Sequence, residues 1–169
     1  MKEKIIIIDF GSQYTQLIAR RIREMEVYCE ILPLINIENI RSGKEPVKGI
    51  ILSGGPASVY EEGAPTVDPA IFELGLPILG ICYGMQLITH LNGGKVEKAD
   101  SREFGKAILE IINEKNPLFK DIQKTSSIWM SHNDHITELP EGFEIIAKTD
   151  SSIAAITDNN GIYALQFHP

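Results

Sequence analysis

Cys82 stands in Gly80-Ile81-Cys82-Tyr83-Gly84, between an apolar run that opens at Pro77 and a segment whose Met85, Ile88 and Leu91 recur at helical spacing. The run reads as a buried strand and the segment as a helix stopped by Asn92-Gly93-Gly94. A nucleophile flanked two residues away by glycines is the mechanical pattern of a nucleophile elbow, where small neighbours let a strained residue stand exposed above a sheet. The helix N-terminus behind it offers free N–H groups and a positive dipole end, which favours thiolate and predicts a lowered cysteine pKa. The alternative is a small buried residue in a tight strand–helix joint. A thiolate there attacks a carbonyl carbon, and the oxyanion that forms needs donors. Elbow geometry supplies the backbone N–H of Tyr83, and Gly54-Gly55-Pro56 can bring a second backbone close to a ligand. That glycine pair also reads as a phosphate cradle or a plain turn, but it lacks phosphate-loop spacing and a lysine partner. Gln86, four residues past Cys82, shares its helix face and can hold a polar substrate group, or is simply an exposed glutamine.

His168 closes an apolar strand and lies, on this reading, in the same layer as the elbow, as a general base or as a surface histidine near the terminus. The other dense polar stretch is Ser127-Ile128-Trp129-Met130-Ser131-His132-Asn133-Asp134-His135. His132, Asp134 and His135 suggest metal ligands, but no fourth ligand sits at a recognisable spacing, so no metal is expected.

The elements that must hold these groups alternate strand and helix through residue 92. Strands are expected over 5–10, 27–32, 47–53 and 77–81. One helix is expected with Tyr14, Leu17, Ile18, Ile22 and Met25 on its apolar face and Ser12 as N-cap, and a second over 68–74 with Pro69 at its first position. Such alternation implies right-handed crossovers over a parallel sheet. Beyond Gly94 five short strands, 104–112, 127–130, 143–148, 153–157 and 162–167, read as antiparallel additions, with Asn160-Gly161 a two-residue hairpin turn. The expected fold is therefore α/β: a flavodoxin-like or Rossmann-like, mostly parallel sheet flanked by helices, with antiparallel strands in the C-terminal half. Ligands of such sheets collect outside the carboxyl ends of the strands, where the loops after Phe10, Ser53, Ile81 and Phe167 should meet.

At 169 residues, 43% hydrophobic and 23% charged, the chain suits one domain with a real core. A net charge of −7 argues against a nucleic-acid partner, and no run is long enough for a bilayer span. Cys29 and Cys82 form no disulfide framework, so a reducing cytoplasm is the expected setting. Arg20, Arg21 and Arg23 read as a solvated helix face, or else as an interface with another domain.

Four blocks, Ser53-Gly54-Gly55-Pro56, Gly80 to Gln86, Trp129 to Asp134 and Gln166-Phe167-His168-Pro169, resemble the signature blocks of the class I (triad) glutamine amidotransferases. The stretch Asp9 to Ile18 is similar to that of the GMP synthase branch. The resemblance implies one amidotransferase domain over 1–169, with Cys82 as nucleophile and His168 as acid/base. It implies Gly55 and Tyr83 as backbone oxyanion donors, and Gln86, Ser131, Asn133 and Asp134 as residues that hold L-glutamine. The implied reaction is glutamine hydrolysis through a thioester, with no cofactor in this chain. ATP and Mg are expected on a partner ATP-pyrophosphatase (synthetase) domain or subunit that aminates XMP. Other class I branches (anthranilate, carbamoyl phosphate, CTP synthesis) and a non-catalytic docking module of the same fold remain the alternatives. The sequence departs from the family twice. Asn133 replaces a usual glycine, which asparagine can imitate through its tolerance of left-handed angles. The triad glutamate expected after Pro169 is not among the 169 residues, which implies a weak glutaminase.

Overall fold

The computed structural model describes residues 2–169, with only the backbone of 101–103. Strands β1 (Lys4–Ile8), β2 (Cys29–Leu32), β3 (Val47–Leu52) and β4 (Ile78–Ile81) are all parallel. They are followed by β5 (Lys95–Ile111), β6 (Thr125–Glu138), β7 (Glu144–Lys148), β8 (Ile153–Thr157) and β9 (Ile162–Leu165). The nine form one sheet in the order β2-β1-β3-β4-β9-β8-β7-β5-β6. β9 joins β4 in parallel and meets β8 antiparallel, so it is the seam between the two halves. The expected α/β sheet with an antiparallel C-terminal half is thus what forms.

Helices α1 (Thr15–Glu24), α2 (Ile37–Arg41) and α3 (Tyr83–Leu91) complete the fold. The α3 segment is buried from Tyr83 to Thr89, against Ile6, Ile8, Ile50, Leu52 and Ile78 of the parallel strands. Full burial of each such aliphatic side chain contributes on the order of 1.5–3 kcal/mol, which makes α3 the central packing element beneath the elbow.

Several local expectations are corrected. Leu17 of α1 is 46% exposed and Met25, just past its end, 77%; the inward stripe is Thr15, Ile18, Ala19 and Ile22. The small Ala19 lets the helix approach β2 closely, where the Cys29 thiol reaches the Ala19 carbonyl at 3.5 Å. Ser12 does not cap α1; its hydroxyl instead accepts the Tyr14 N–H. Arg20 and Arg21 both pair with Glu24 on the exposed surface, and Arg23 donates to the Cys29 carbonyl. Residues Pro69–Glu73 form a 3₁₀ turn rather than an α-helix, started by Asp68, which accepts the Ala70 N–H. The β8–β9 turn spans four residues, with Asn159 and Gly161 at positive φ and Asp158 Oδ1 accepting from Asn160 and Ile162. The β5/β6 hairpin is far longer than expected and runs through the polar 131–135 stretch, because His132, Asp134 and Ile136 alternate inward as a strand requires. Asn133 therefore sits in extended backbone without positive φ, and tolerance of left-handed angles is not what this position needs.

Candidate active site

Cys82 lies between β4 and α3 with φ 55° and ψ −109°, a left-handed conformation costly for a side chain and stable only where the surroundings enforce it. Both flanking glycines are demanded by space. A Cβ on Gly80 would fall 2.6 Å from Ile88 Cδ1 and 2.7 Å from the Gly84 backbone, and one on Gly84 would fall 2.0 Å from the Leu52 carbonyl oxygen. The elbow is thus clamped between its own helix and β3.

The loop after β3 is held by a small polar network. Ser53 Oγ accepts from Phe10 N at 3.3 Å, and the Thr15 hydroxyl sits between it (3.3 Å) and Asp9 Oδ1 (3.2 Å). Gly55 presses against the Phe10 backbone, where a Cβ would come within 2.4 Å of the carbonyl oxygen. Only glycine fits there, and the Gly55 N–H donates to no protein acceptor among the described residues.

His168 follows β9. Its N–H bonds the Trp129 carbonyl of β6 at 3.4 Å, and its ring leans on Tyr14 with centroids 4.5 Å apart. Cys82 Cβ and His168 Cε1 each lie 3.5 Å from one point, the place a Cβ on Gly54 would take, so the two side chains approach the same side of Gly54. The sulfur is the junction of two cavities. One of about 310 Å³ opens toward His168, Tyr14 and Ser12, and one of about 220 Å³ opens toward Gln86, Asn133 and Asp134. Gly55 and Ser131 line both, and Tyr83 lines the second, so every expected site residue faces this double cavity.

Some of them face it differently than expected. Gln86 is only 3% exposed and its Nε2 is committed to the Asp134 carbonyl (3.5 Å) and Gln166 Oε1 (3.4 Å), leaving its own oxygen for a ligand. The Asp134 carboxylate accepts from Ser58 Oγ at 2.5 Å and Tyr60 Oη at 2.7 Å, and among the described residues it has no ion-pair partner. Ser58 and Tyr60 carried no mark in the sequence, and Tyr14 was marked only as part of a helix face and of the Asp9–Ile18 stretch. Gln166 entered only as the first residue of the Gln166–Pro169 block that resembles the family. His132 Nδ1 lies 2.6 Å from the Asp134 carbonyl. Among the described residues no three histidine, cysteine or acidic side chains group closely enough to hold a metal ion.

The acidity of the sulfur overturns the expectation of a lowered pKa. Burial pushes the Cys82 thiol up to about 11, outweighing the Tyr83 N–H and Gln166 carboxamide that favour thiolate. Burial also lowers His168 below the usual 6.5. The resting pair is therefore neutral thiol beside neutral imidazole, with the thiol proton directed at the Ser131 carbonyl, 3.6 Å away. A neutral imidazole is the form that can take a proton as general base. Turnover by this pair should fall in acid with a midpoint below 6.5, as His168 protonates, and stay level from about pH 7 to 9, which a pH profile of kcat/KM measures. Linkage gives a second consequence. A thiol that ionises near 9.0 when unfolded and about 11 when folded stabilises the protein fully below pH 9. That stability, about 2–3 kcal/mol, is lost as pH rises from 9 to 11. Thermal melts across that window should fall more steeply for the unsubstituted chain than for Cys82→Ala.

A family model described as glutamine amidotransferase class-I matches residues 6–169. The chain is 59% identical over 169 residues to a glutamine-hydrolysing GMP synthase of Fusobacterium nucleatum and 58% identical over 170 to that of Brachyspira hyodysenteriae. It covers 33% and 32% of those relatives, so it spans about a third of their length. A crystal structure from Thermoplasma acidophilum, provisionally named as part of a GMP synthase, superposes with a TM-score of 0.84 at 32% identity, over 100% of this chain and 85% of that one. A Thermotoga maritima glutamine amidotransferase, 19% identical over 99% of this chain and 75% of that one, shares the fold with a TM-score of 0.76. A strained cysteine elbow facing a histidine, in a sheet of this order and under a match this long, leaves one conclusion: the chain belongs to the class I glutamine amidotransferase family.

Proposed function

We propose that residues 1–169 form one amidotransferase domain, the glutaminase part of a GMP synthase. Glutamine enters the cavity beside Gln86 and Asp134. The Asp134 carboxylate, held by Ser58 and Tyr60 and lacking a cation among the described residues, suits the substrate ammonium group, while the Gln86 oxygen, Ser131 and Asn133 are left for its remaining polar atoms. His168 takes the Cys82 proton as the sulfur attacks the side-chain carbonyl. The oxyanion is stabilised by the backbone N–H groups of Gly55 and Tyr83. Collapse expels ammonia, protonated by His168, and leaves a γ-glutamyl thioester, which water then hydrolyses with His168 as base. The ammonia passes to XMP on an ATP- and Mg-dependent synthetase domain or subunit, by likeness to the GMP synthases named above. Both cysteines are free, which supports a cytoplasmic setting. No helix among the described residues is long and apolar enough to cross a membrane.

The observation that carries this reading is the approach of Cys82 and His168 to one side of Gly54, with both lining one cavity and Cys82 lining a second. Among the described residues no carboxylate bonds the His168 ring, whose pKa answers to burial alone. His168→Asn, which removes the base but keeps a polar side chain, should lower kcat for glutamine hydrolysis by about 10⁴-fold or more. Ammonia release by the two proteins, side by side, measures it; equal rates contradict the role given to His168.

A further inference from the structure

Gln166 sits just past the end of β9, 1% exposed, with its backbone N–H on the Ala154 carbonyl at 2.8 Å. Next to it, Cys82 N donates to the Leu165 carbonyl at 2.7 Å, so β9 holds the Gln166 side chain against the elbow. Its Nε2 reaches the Cys82 sulfur at 3.7 Å, while its Oε1 accepts from Gln86 Nε2 at 3.4 Å. Gln86 Nε2 also serves the Asp134 carbonyl, so both its protons are used and its donor end must face Gln166. That fixes the Gln166 carboxamide with oxygen toward Gln86 and N–H toward sulfur. A flipped Gln166 would set two NH₂ groups against each other and an oxygen against a developing thiolate.

We infer that Gln166 is the side-chain donor that stays on the Cys82 sulfur during attack, and that Gln86 is a positioning residue that keeps it turned the right way. The inference rests on Cys82 being the nucleophile. Two N–H donors approach the resting sulfur, that of Tyr83 and that of Gln166. When a substrate carbonyl oxygen takes the Tyr83 N–H, that donor is withdrawn from sulfur and Gln166 is the one that remains. The negative charge that builds on sulfur as His168 removes the proton then falls on a buried, pre-oriented amide, where hydrogen bonds to charged groups are strongest.

The test is alkylation by iodoacetamide at about pH 8, read site by site by peptide mass. Below its titration the Cys82 rate follows the thiolate fraction. Gln166→Met removes the donor at similar volume and should slow Cys82 modification about 10-fold, equivalent to about one pH unit in the thiol pKa. Gln166→Glu keeps the shape and the acceptor for Gln86 but turns a carboxylate on the sulfur, and should slow it further. Gln86→Met, which frees the amide to turn, should give an intermediate loss. Cys29, 1% exposed, is the internal control: a merely structural role for Gln166 would loosen the fold and speed both cysteines, the opposite sign. Rates at Cys82 in Gln166→Met and Gln166→Glu equal to or above that of the unsubstituted protein overturn the inference. Alkylation needs no glutamine, so an inactive protein can still bear it out and an active glutaminase can still refute it.

Discussion

Cys82→Ser is expected to lower glutamine hydrolysis by about 10⁴-fold or more, the scale on which nucleophile removal acts in triad enzymes. The hydroxyl fits the same space, so folding should hold. The loss is chemical. A serine hydroxyl is far less acidic than a thiol and needs a stronger base, and the donors arranged for a large sulfur sit too far for an oxygen. Steady-state ammonia release compared with a thermal melt separates the two effects. Activity within about 10-fold of the unsubstituted protein would remove Cys82 from the reaction.

The second large effect divides two glycines beside Cys82, Gly84 of the elbow and Gly54 of the loop after β3. An alanine at Gly84 puts its Cβ 2.0 Å from the Leu52 oxygen and 2.7 Å from the Leu52 carbon. Both are backbone atoms of β3, so nothing flexible can yield and α3 must lift off the sheet. We expect a loss of about 3 kcal/mol, with a fall in Tm on the order of 10 °C. An alanine at Gly54 meets only ordinary contacts, 3.5 Å from Cys82 Cβ, His168 Cε1 and Ser12 Oγ, so stability should barely change. Its methyl group nevertheless occupies the space that both the Cys82 and the His168 side chains border. We expect kcat/KM to drop about 10²-fold, the scale of a small misplacement of reacting groups. A Gly54→Ala protein as active as the unsubstituted one would mean that proton transfer does not cross that space.

What could be read from the chain beforehand was what depends on neighbours in sequence. Gly80 and Gly84 announce the elbow because their requirement is steric and local, and the continuous apolar run from Ile5 announces a strand buried on both faces. The helical stripe of α1 misled because large apolar residues are not always the inner ones. Thr15 and Ala19 take the inner face through a hydroxyl network and a close approach to Cys29. The short α2 was missed although Asn36 caps it by accepting the Asn39 N–H, since one turn gives too little periodicity to detect. The polar run around Asp134 hid a strand because its inward side chains line a cavity rather than a core. The sulfur's acidity was misjudged for a related reason. The helix N-terminus is visible in sequence, but the burial that outweighs it comes from a three-dimensional setting in which the sulfur reaches Ser131, 49 residues away. Ser58 and Tyr60 meet Asp134 from more than 70 residues off, which no spacing rule encodes.

The most direct measurement is covalent labelling with a glutamine-analogue electrophile that carries a leaving group at the position of the side-chain amide. One adduct per chain is expected, on Cys82 and not Cys29, forming with saturation kinetics, suppressed by L-glutamine and lost in acid as His168 protonates. Equal labelling of both thiols, or labelling of Cys82 that glutamine does not slow, would contradict the role given to this cysteine.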